Sequence, residues 1–244
     1  MIHKQIMQQQ ATYIRFRFIK GEEVKYISHL DLMRTFQRTI RRSGLPVAYS
    51  SGFNPHQELS FGAPLSLGVT STAEYTDIKF SEGIDITTAI DKLNNTLPKG
   101  LKILDGRKLP EGFKSAMSLV SHARYSIRLV IKNASEEVFL SKLEAFLDKQ
   151  EIKVMKQQPK KDFELKEIDI KPMIISIKLM QKNNDEYYLN CMLQSGSKAN
   201  LKPELLIAAF AEFSGFEISG IKINREEVYT EQNGKLLDLL EYMG

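Results

Sequence analysis

Four arginines recur at helical spacing in one short segment of the chain, at Arg34, Arg38, Arg41 and Arg42. Residues three or four apart share one face of an α-helix, and no carboxylate falls on this face. A guanidinium group presents a planar fork of donors that suits phosphate oxygens. The spacing therefore predicts an arginine stripe (these four residues) that contacts the phosphates of RNA. The alternative is a charged helix face that only meets solvent.

Further residues have the chemistry to extend such a surface. Basic side chains neutralise phosphates, aromatic rings stack on unpaired bases, and an amide can hydrogen-bond to bases. The predicted additional RNA-binding residues are Arg15, Arg17, Tyr13, Tyr49, Asn54, Lys198 and Lys202. The two lysines precede a predicted helix, whose first backbone N–H groups attract anions.

Two histidines are candidates for general acid–base catalysis, because imidazole titrates near neutral pH. His29 opens the arginine-bearing helix, on the side that also carries Met33 and Phe36, so a structural role inside the core is the alternative. His56 lies in a loop rich in glycine and proline. The loop either presents it outward for a function or leaves it exposed without one. Together they would suit metal-free RNA cleavage.

Other chemistries find little support in the sequence. Cys191 is the single cysteine, which excludes a disulfide framework and a cysteine-ligated cluster, and no third ligand accompanies the two histidines, so no metal site is predicted. No phosphate-binding glycine loop and no G-x-S-x-G serine context occurs. We expect no cofactor in this chain.

The elements that would position these residues follow from periodicity. Residues 12–19 alternate between apolar and basic or aromatic side chains, as a strand does. Ser28 and Asp31 form a capping pattern at the start of the helix, and Gly44 ends it. Residues 49–68 form a loop in which Phe53 and Phe61 are expected to point inward, presenting Asn54 and His56 outward.

The order of the predicted elements suggests a duplication. Strand, helix, two strands, helix and strand follow one another before residue 115 and again after it, which is the β-α-β-β-α-β order of the ferredoxin-like fold. The sequence thus predicts an α+β chain of two ferredoxin-like halves in tandem. Its expected parts are a flexible leader at residues 1–11, one domain at 12–115, and a second at 116–244 that ends in a helix.

Charge and hydropathy constrain partners and location. Residues 12–50 contain 8 Lys and Arg against 3 Asp and Glu, so the basic excess is local. Apolar runs are far shorter than the roughly 20 residues of a transmembrane helix, and the N-terminus does not resemble a secretory signal. We expect a cytoplasmic protein without a membrane partner, and no DNA partner is expected.

Several motifs together resemble one known family. The segments "SHLD" and "GFNPH-x-x-LSFG-x-PL-x-LG", with "NLKPELL" and "INREEVY" downstream, are similar to the uncharacterised bacterial radical-SAM-linked protein family. The resemblance covers roughly residues 12–230. Members lie beside, or are fused behind, a radical-SAM protein, so it implies a partner that carries S-adenosylmethionine and an iron–sulfur cluster.

Three hypotheses remain open. The first is a protein without catalytic activity of its own that binds tRNA or rRNA and presents it to the radical-SAM partner for modification. The second is a metal-free endoribonuclease that uses His29 or His56. The third is a protein-interaction subunit of a radical-SAM enzyme, in which the arginines only keep the surface soluble.

Overall fold

A computed structural model describes residues 11–158 and 164–242. The predicted leader lies outside these residues, apart from Ala11. The α+β class is confirmed: the described residues form five α-helices and eleven strands. In chain order these are β1 (Thr12–Lys20), α1 (His29–Ser43), β2 (Leu59–Phe61), β3 (Thr70–Phe80), α2 (Ile86–Asn94), β4 (Leu101–Lys108), α3 (Ala116–Leu119), β5 (His122–Ile131), α4 (Glu136–Leu147), β6 (Lys153–Gln158), β7 (Glu164–Asp169), β8 (Ile174–Asn183), β9 (Glu186–Gln194), α5 (Pro203–Ser214), β10 (Ile218–Gln232) and β11 (Lys235–Asp238).

The chain divides into two compact units. The first unit contains the described residues up to Leu119 together with those from Gln232 onward, and the second unit is Val120–Glu231. Its C-terminal residues thus belong with its N-terminal residues, whereas the sequence suggested that they complete the second domain.

Strands of the first unit pair in the order β4-β1-β3-β2, and every neighbouring pair is antiparallel. Ile14, Phe16 and Phe18 of β1 are fully buried on the same face of this sheet. Helix α1 packs there, with the ring of Phe36 4.9 Å from that of Phe18. Burial of these side chains supplies the hydrophobic free energy that holds the helix on the sheet.

Helix α1 begins and ends where the sequence indicates. The Ser28 hydroxyl accepts a hydrogen bond from the backbone N–H of Asp31, which satisfies one of the unpaired donors of the first turn. Gly44 has a left-handed φ of 65° at the C-terminal cap, a conformation that a side chain disfavours. These two caps set the length of the helix and hence the number of arginines it displays.

Strands of the second unit pair antiparallel in the order β10-β5-β9-β8. Along β5 and β9, buried and half-buried residues alternate. The buried face meets α4 and α5: the Phe139 ring stacks 4.5 Å from the Tyr187 ring and contacts Phe210. The other face of this sheet carries the half-buried polar residues, and we call it the open face.

A hairpin of β6 and β7 interrupts the second unit between α4 and β8. Its base is tied to the unit because Ile152 and Ile170 are buried and their backbones hydrogen-bond. The Asp169 carboxylate also accepts from the backbone N–H groups of Ile152 and Lys171, which lowers the pKa of Asp169.

The predicted C-terminal helix is wrong. Strand β11 occupies Lys235–Asp238 instead, and a turn follows it. Asn233 and Gly234 both have positive φ, which is the conformation of a tight reverse turn and not of a helix start. Beyond the strand, the Asp238 carboxylate accepts from the backbone N–H groups of Leu240 and Glu241 and holds a local turn.

Candidate nucleic-acid interface

The arginine stripe lies on the solvent side of α1. Arg34, Arg38, Arg41 and Arg42 are all exposed, because the opposite side of the helix is buried in the core. That buried side consists of Leu32, Phe36, Thr39 and Ile40. The helical period therefore separates the two sets and leaves the guanidinium groups accessible to a large anionic ligand.

Local partners divide the stripe into two classes. A guanidinium nitrogen of Arg34 lies 3.2 Å from a carboxylate oxygen of Asp31, so the expectation that no carboxylate accompanies the stripe is wrong. The Ser28 hydroxyl and Arg34, with a weaker contribution from Arg38, lower the pKa of Asp31. Arg42 donates to the carbonyl of Thr96, 3.0 Å away.

The guanidinium N–H groups of the other two arginines of the stripe are available to a ligand. Arg38 and Arg41 make no hydrogen bond to any residue that the structure describes, and both are exposed. An exposed guanidinium without a bound carboxylate can exchange water for phosphate at low cost. These two arginines are the strongest candidates for phosphate contacts in the first unit.

Arg15 does not belong to this surface, contrary to the sequence interpretation. Its side chain is 1% exposed and donates to both carboxylate oxygens of Asp77, at 2.7 and 3.0 Å. It also donates to the carbonyls of Lys114 and Leu239. The second face of the first unit's sheet is covered here, so no solvent-borne phosphate can reach Arg15.

Neighbouring residues of β1 are partly covered as well. Arg17 and Tyr13 are half-buried. The Tyr13 ring packs 4.7 Å from the Phe113 ring, and the Lys79 ammonium lies 5.3 Å from its centre. Because one side of the Tyr13 ring is already occupied, only its remaining surface could stack on a base.

A small hairpin-like loop presents residues 51–56 to solvent. An isolated bridge joins Tyr49 to Gln57, and the backbone N–H of Ser50 donates to the carbonyl of His56 over 2.8 Å. Phe53 at its tip is fully exposed, although the sequence placed it inside. Gly52 has a φ of 125°, which turns the chain at the tip and leaves Phe53 beyond the reach of the core. Asn54 and Tyr49 are exposed, as expected.

The two histidines have different surroundings. His56 is exposed, with Nδ1 2.8 Å from the Ser50 hydroxyl, so Nε2 is left toward solvent. His29 is half-buried at the first turn of α1, with its ring 5.7 Å from the Phe61 ring. Among the described residues no hydrogen bond or ring contact joins them, which leaves the predicted catalytic pair without a geometric basis.

His29 also lines a small cavity of about 10 Å³. The ammonium of Lys20, which is buried in its wall, donates to the carbonyls of Lys25 and Ile27, and Glu74 is buried beside it. A space of this size holds about one water molecule and no organic substrate. The surroundings of His29 are those of a structural residue.

The predicted lysines of the second unit are exposed. Lys198 lies in a loop whose Gly196 approaches the backbone of Val120, and Lys202 is the N-terminal cap residue of α5. They stand in a different unit from the arginine stripe.

Within the described ranges, no group of three or more His, Cys, Asp or Glu side chains is arranged to hold a metal ion.

Sequence reasoning missed the open face of the second unit. Half-buried Arg124 and Arg128 of β5 lie there, opposite Met192 and Tyr188 of β9 respectively. The signal was present, since "HARYSIRLVI" and "EYYLNCMLQ" alternate between polar and apolar residues over most of their length. In the part of the chain that the structure describes, no helix is both long and apolar enough to cross a membrane.

Comparison with solved structures returns distant similarities of fold. A complex of Cbf5, Nop10 and Gar1 matches with a TM-score of 0.48 and 10% identity, over 93% of this chain and 52% of that chain. An H/ACA RNP bound to a substrate RNA containing 2′-deoxyuridine matches at 0.46 and 10%, over 91% and 49%. The acetolactate synthase small subunit from Thermotoga maritima matches at 0.25 and 11%, over 92% and 99%. The chain spans about half the length of the first two.

Comparison by sequence identifies a family. No curated protein matches the chain. Residues 13–203, well over half of its length, match the model of a family described as an uncharacterised protein conserved in bacteria. This stretch includes the whole arginine stripe and the loop around Phe53. The chain therefore belongs to that bacterial family, DUF2344.

Proposed function

We propose that this protein binds RNA, tRNA or rRNA by preference, and presents it to a radical-SAM partner without catalysing a reaction itself. The observation that carries the proposal is the exposure of Arg38 and Arg41 on α1, with no bound carboxylate among the described residues. An ordinary solvated face pairs or intersperses its charges. Here a paired arginine, Arg34, lies next to two arginines that remain available.

Phosphate binding follows from the stiffness and charge of this helix. The buried side of α1 anchors the backbone, so the guanidinium groups extend from a fixed support and lose only their own side-chain freedom on binding. Each phosphate they neutralise releases condensed counterions, which makes the affinity fall with salt. The exposed rings of Phe53 and Tyr49 add surfaces on which unpaired bases could stack.

The architecture proposed for this role is a tandem of two ferredoxin-like units. Each unit places its four strands in the order fourth, first, third and second, with antiparallel neighbours. This order is β4-β1-β3-β2 in the first unit and β10-β5-β9-β8 in the second. The radical-SAM partner is proposed from the motif resemblance and would hold the cluster and S-adenosylmethionine. A reducing cytoplasm suits a chain whose single thiol is free.

RNA binding at two salt concentrations tests the proposal. We would measure the affinity of the purified chain for bulk tRNA at about 50 and about 200 mM salt by fluorescence anisotropy. The test variant is Arg38→Gln with Arg41→Gln, and Lys92→Gln with Lys102→Gln is the control. Both pairs are exposed residues of the first unit, and both variants lose two positive charges.

We expect the two variants to differ in RNA affinity although each loses two positive charges. The arginine variant should bind more weakly and show a salt slope shallower by about 1.4 to 1.8, for two lost phosphate contacts. The lysine control should bind nearly as the natural chain does. If both variants lost the same affinity for RNA, the stripe would contribute only its net charge and no specific phosphate contacts. If the natural chain bound no RNA at low salt, the proposal would be refuted. RNA shortening that His56→Ala abolishes would favour the endoribonuclease instead.

The partner is tested separately. We would mix the purified chain with a radical-SAM protein, the partner proposed from the motif resemblance, reconstituted with its cluster, and follow complex formation by size-exclusion chromatography. Co-elution that requires neither RNA nor the arginine stripe is expected. Separate elution with and without RNA would remove the partner from the proposal and leave RNA binding untouched.

A further inference from the structure

The open face of the second unit is organised in rows that cross the sheet. One row contains Lys222, Arg128 and Tyr188, which are register partners on β10, β5 and β9. The next contains Asn224, Ser126, Asn190 and Lys178. Directly opposed residues of neighbouring strands point to the same side of a sheet. These side chains therefore share the side opposite to α4 and α5.

Charge on the open face is positive and the arginines are held in place. Four basic residues of this face stand against two carboxylates: the basic residues are Arg124, Arg128, Lys178 and Lys222, and the carboxylates are Glu186 and Glu226. Arg128 is paired with Glu186, and the pKa of that carboxyl falls to about 2 because Arg128 and Tyr188 donate to it. Each pairing orients a planar guanidinium group.

Aromatic and apolar surface accompanies these charges. The Tyr188 hydroxyl donates to Glu186, which fixes the orientation of the ring. Arg124 lies 5.2 Å from the centre of the Tyr229 ring, and Met192 is its register partner on β9. Asn190 donates to Glu226 over 3.1 Å. A face that only met solvent would not need oriented rings between oriented guanidinium planes.

We propose that the open face of the second unit binds single-stranded RNA. Unpaired bases stack on the Tyr188 ring and on the planes of Arg124 and Arg128, and backbone phosphates contact Lys178 and Lys222. The net positive charge complements the RNA backbone, and flat rings in a shallow sheet can reach only bases that are not paired. A double helix would present its phosphates and leave the rings unused.

This inference rests on the proposed function in taking RNA as the ligand, but its residues are separate from the arginine stripe. The stripe supplies phosphate contacts from a helix of the first unit, and the open face supplies base stacking in the second. A substitution on one surface can therefore be compared with a substitution on the other.

The test uses the full chain and two fluorescent probes, a 12-nucleotide single-stranded RNA and an RNA duplex of the same length. Tyr188→Leu removes the ring, and Lys178→Gln with Lys222→Gln removes phosphate contacts without touching Tyr188. Tyr26→Leu is the matched control, since Tyr26 is an exposed tyrosine of the first unit. Circular dichroism verifies that each variant is folded before its affinity is measured.

We expect Tyr188→Leu to weaken single-strand binding by roughly 5- to 150-fold, the effect of losing one stacked base. Duplex binding should change less than twofold, and the Tyr26 control should match the natural chain. The lysine pair should lower the single-strand salt slope by about 1.4. Photocrosslinking of a 4-thiouridine single strand should label peptides of β5 and β9.

Two results are distinguishable. If the natural chain binds RNA and loses affinity through Arg38→Gln with Arg41→Gln, yet neither open-face variant changes binding, the open face is excluded and the proposed function stands. If the natural chain binds no RNA at low salt, the proposed function fails and this inference fails with it. Equal loss for single strand and duplex would overturn the stacking argument.

Discussion

Replacing Asp77 by alanine should destabilise the first unit by about 3–5 kcal/mol. The carboxylate is 3% exposed, receives two hydrogen bonds from Arg15 and one of 2.8 Å from the backbone N–H of Ala116. Asp77→Ala would leave a buried guanidinium with only the carbonyls of Lys114 and Leu239. Removing one partner of a buried ion pair costs that amount because the other charge loses both water and its counterion.

Hydrogen exchange read by mass spectrometry measures this cost. Peptides of β1 and β3 report the free energy of unfolding of the first unit by itself. Arg34→Met is the control, since Arg34 is 63% exposed and its pair with Asp31 should contribute at most about 1 kcal/mol. The double variant Arg15→Met with Asp77→Ala should cost at least about 1.5 kcal/mol less than the two single variants together. A cost below about 1 kcal/mol for Asp77→Ala would refute the assignment of Arg15 to the core.

Three further changes test local features. Ser28→Ala removes the N-terminal cap of α1 and should cost about 1 kcal/mol, seen as faster exchange in the first turn. Gly196→Ala would place a Cβ atom 2.1 Å from the carbonyl oxygen of Val120, so a loss of about 1–3 kcal/mol and a lower melting temperature are expected. Burial raises the pKa of the Cys191 thiol to about 12, so iodoacetamide at pH 8 should modify it only after denaturant is added; rapid labelling of the folded chain would contradict its burial.

Several local features of the fold could be predicted from the sequence. Ser28, Asp31 and Gly44 delimit α1 because capping depends on residues within one turn of the helix. Alternation identified β1, which the structure places at Thr12–Lys20. The tight turn at Asn233 and Gly234 was equally local, yet the leucines after it were interpreted as a helix because their spacing fits both structures.

Features that depend on contacts between residues far apart in sequence could not be predicted. Arg15 looked available because its strand alternates, but its partners stand 62 and 224 residues away in sequence. Phe53 looked buried because apolar side chains usually are, although a turn at Gly52 carries it into solvent. The exposure of Arg38 and Arg41 was predicted correctly, since the period of one helix decides which side faces the core.

The contact between Arg15 and Leu239 also matters for biosynthesis. Its two ends lie 224 residues apart, so at roughly 5–20 residues per second the ribosome adds Leu239 about 10–45 s after Arg15. Until then one donor of the guanidinium has no protein acceptor, and β11 has not been made. The nascent first unit therefore spends most of translation without its last strand, so its folding can finish only near the end of synthesis.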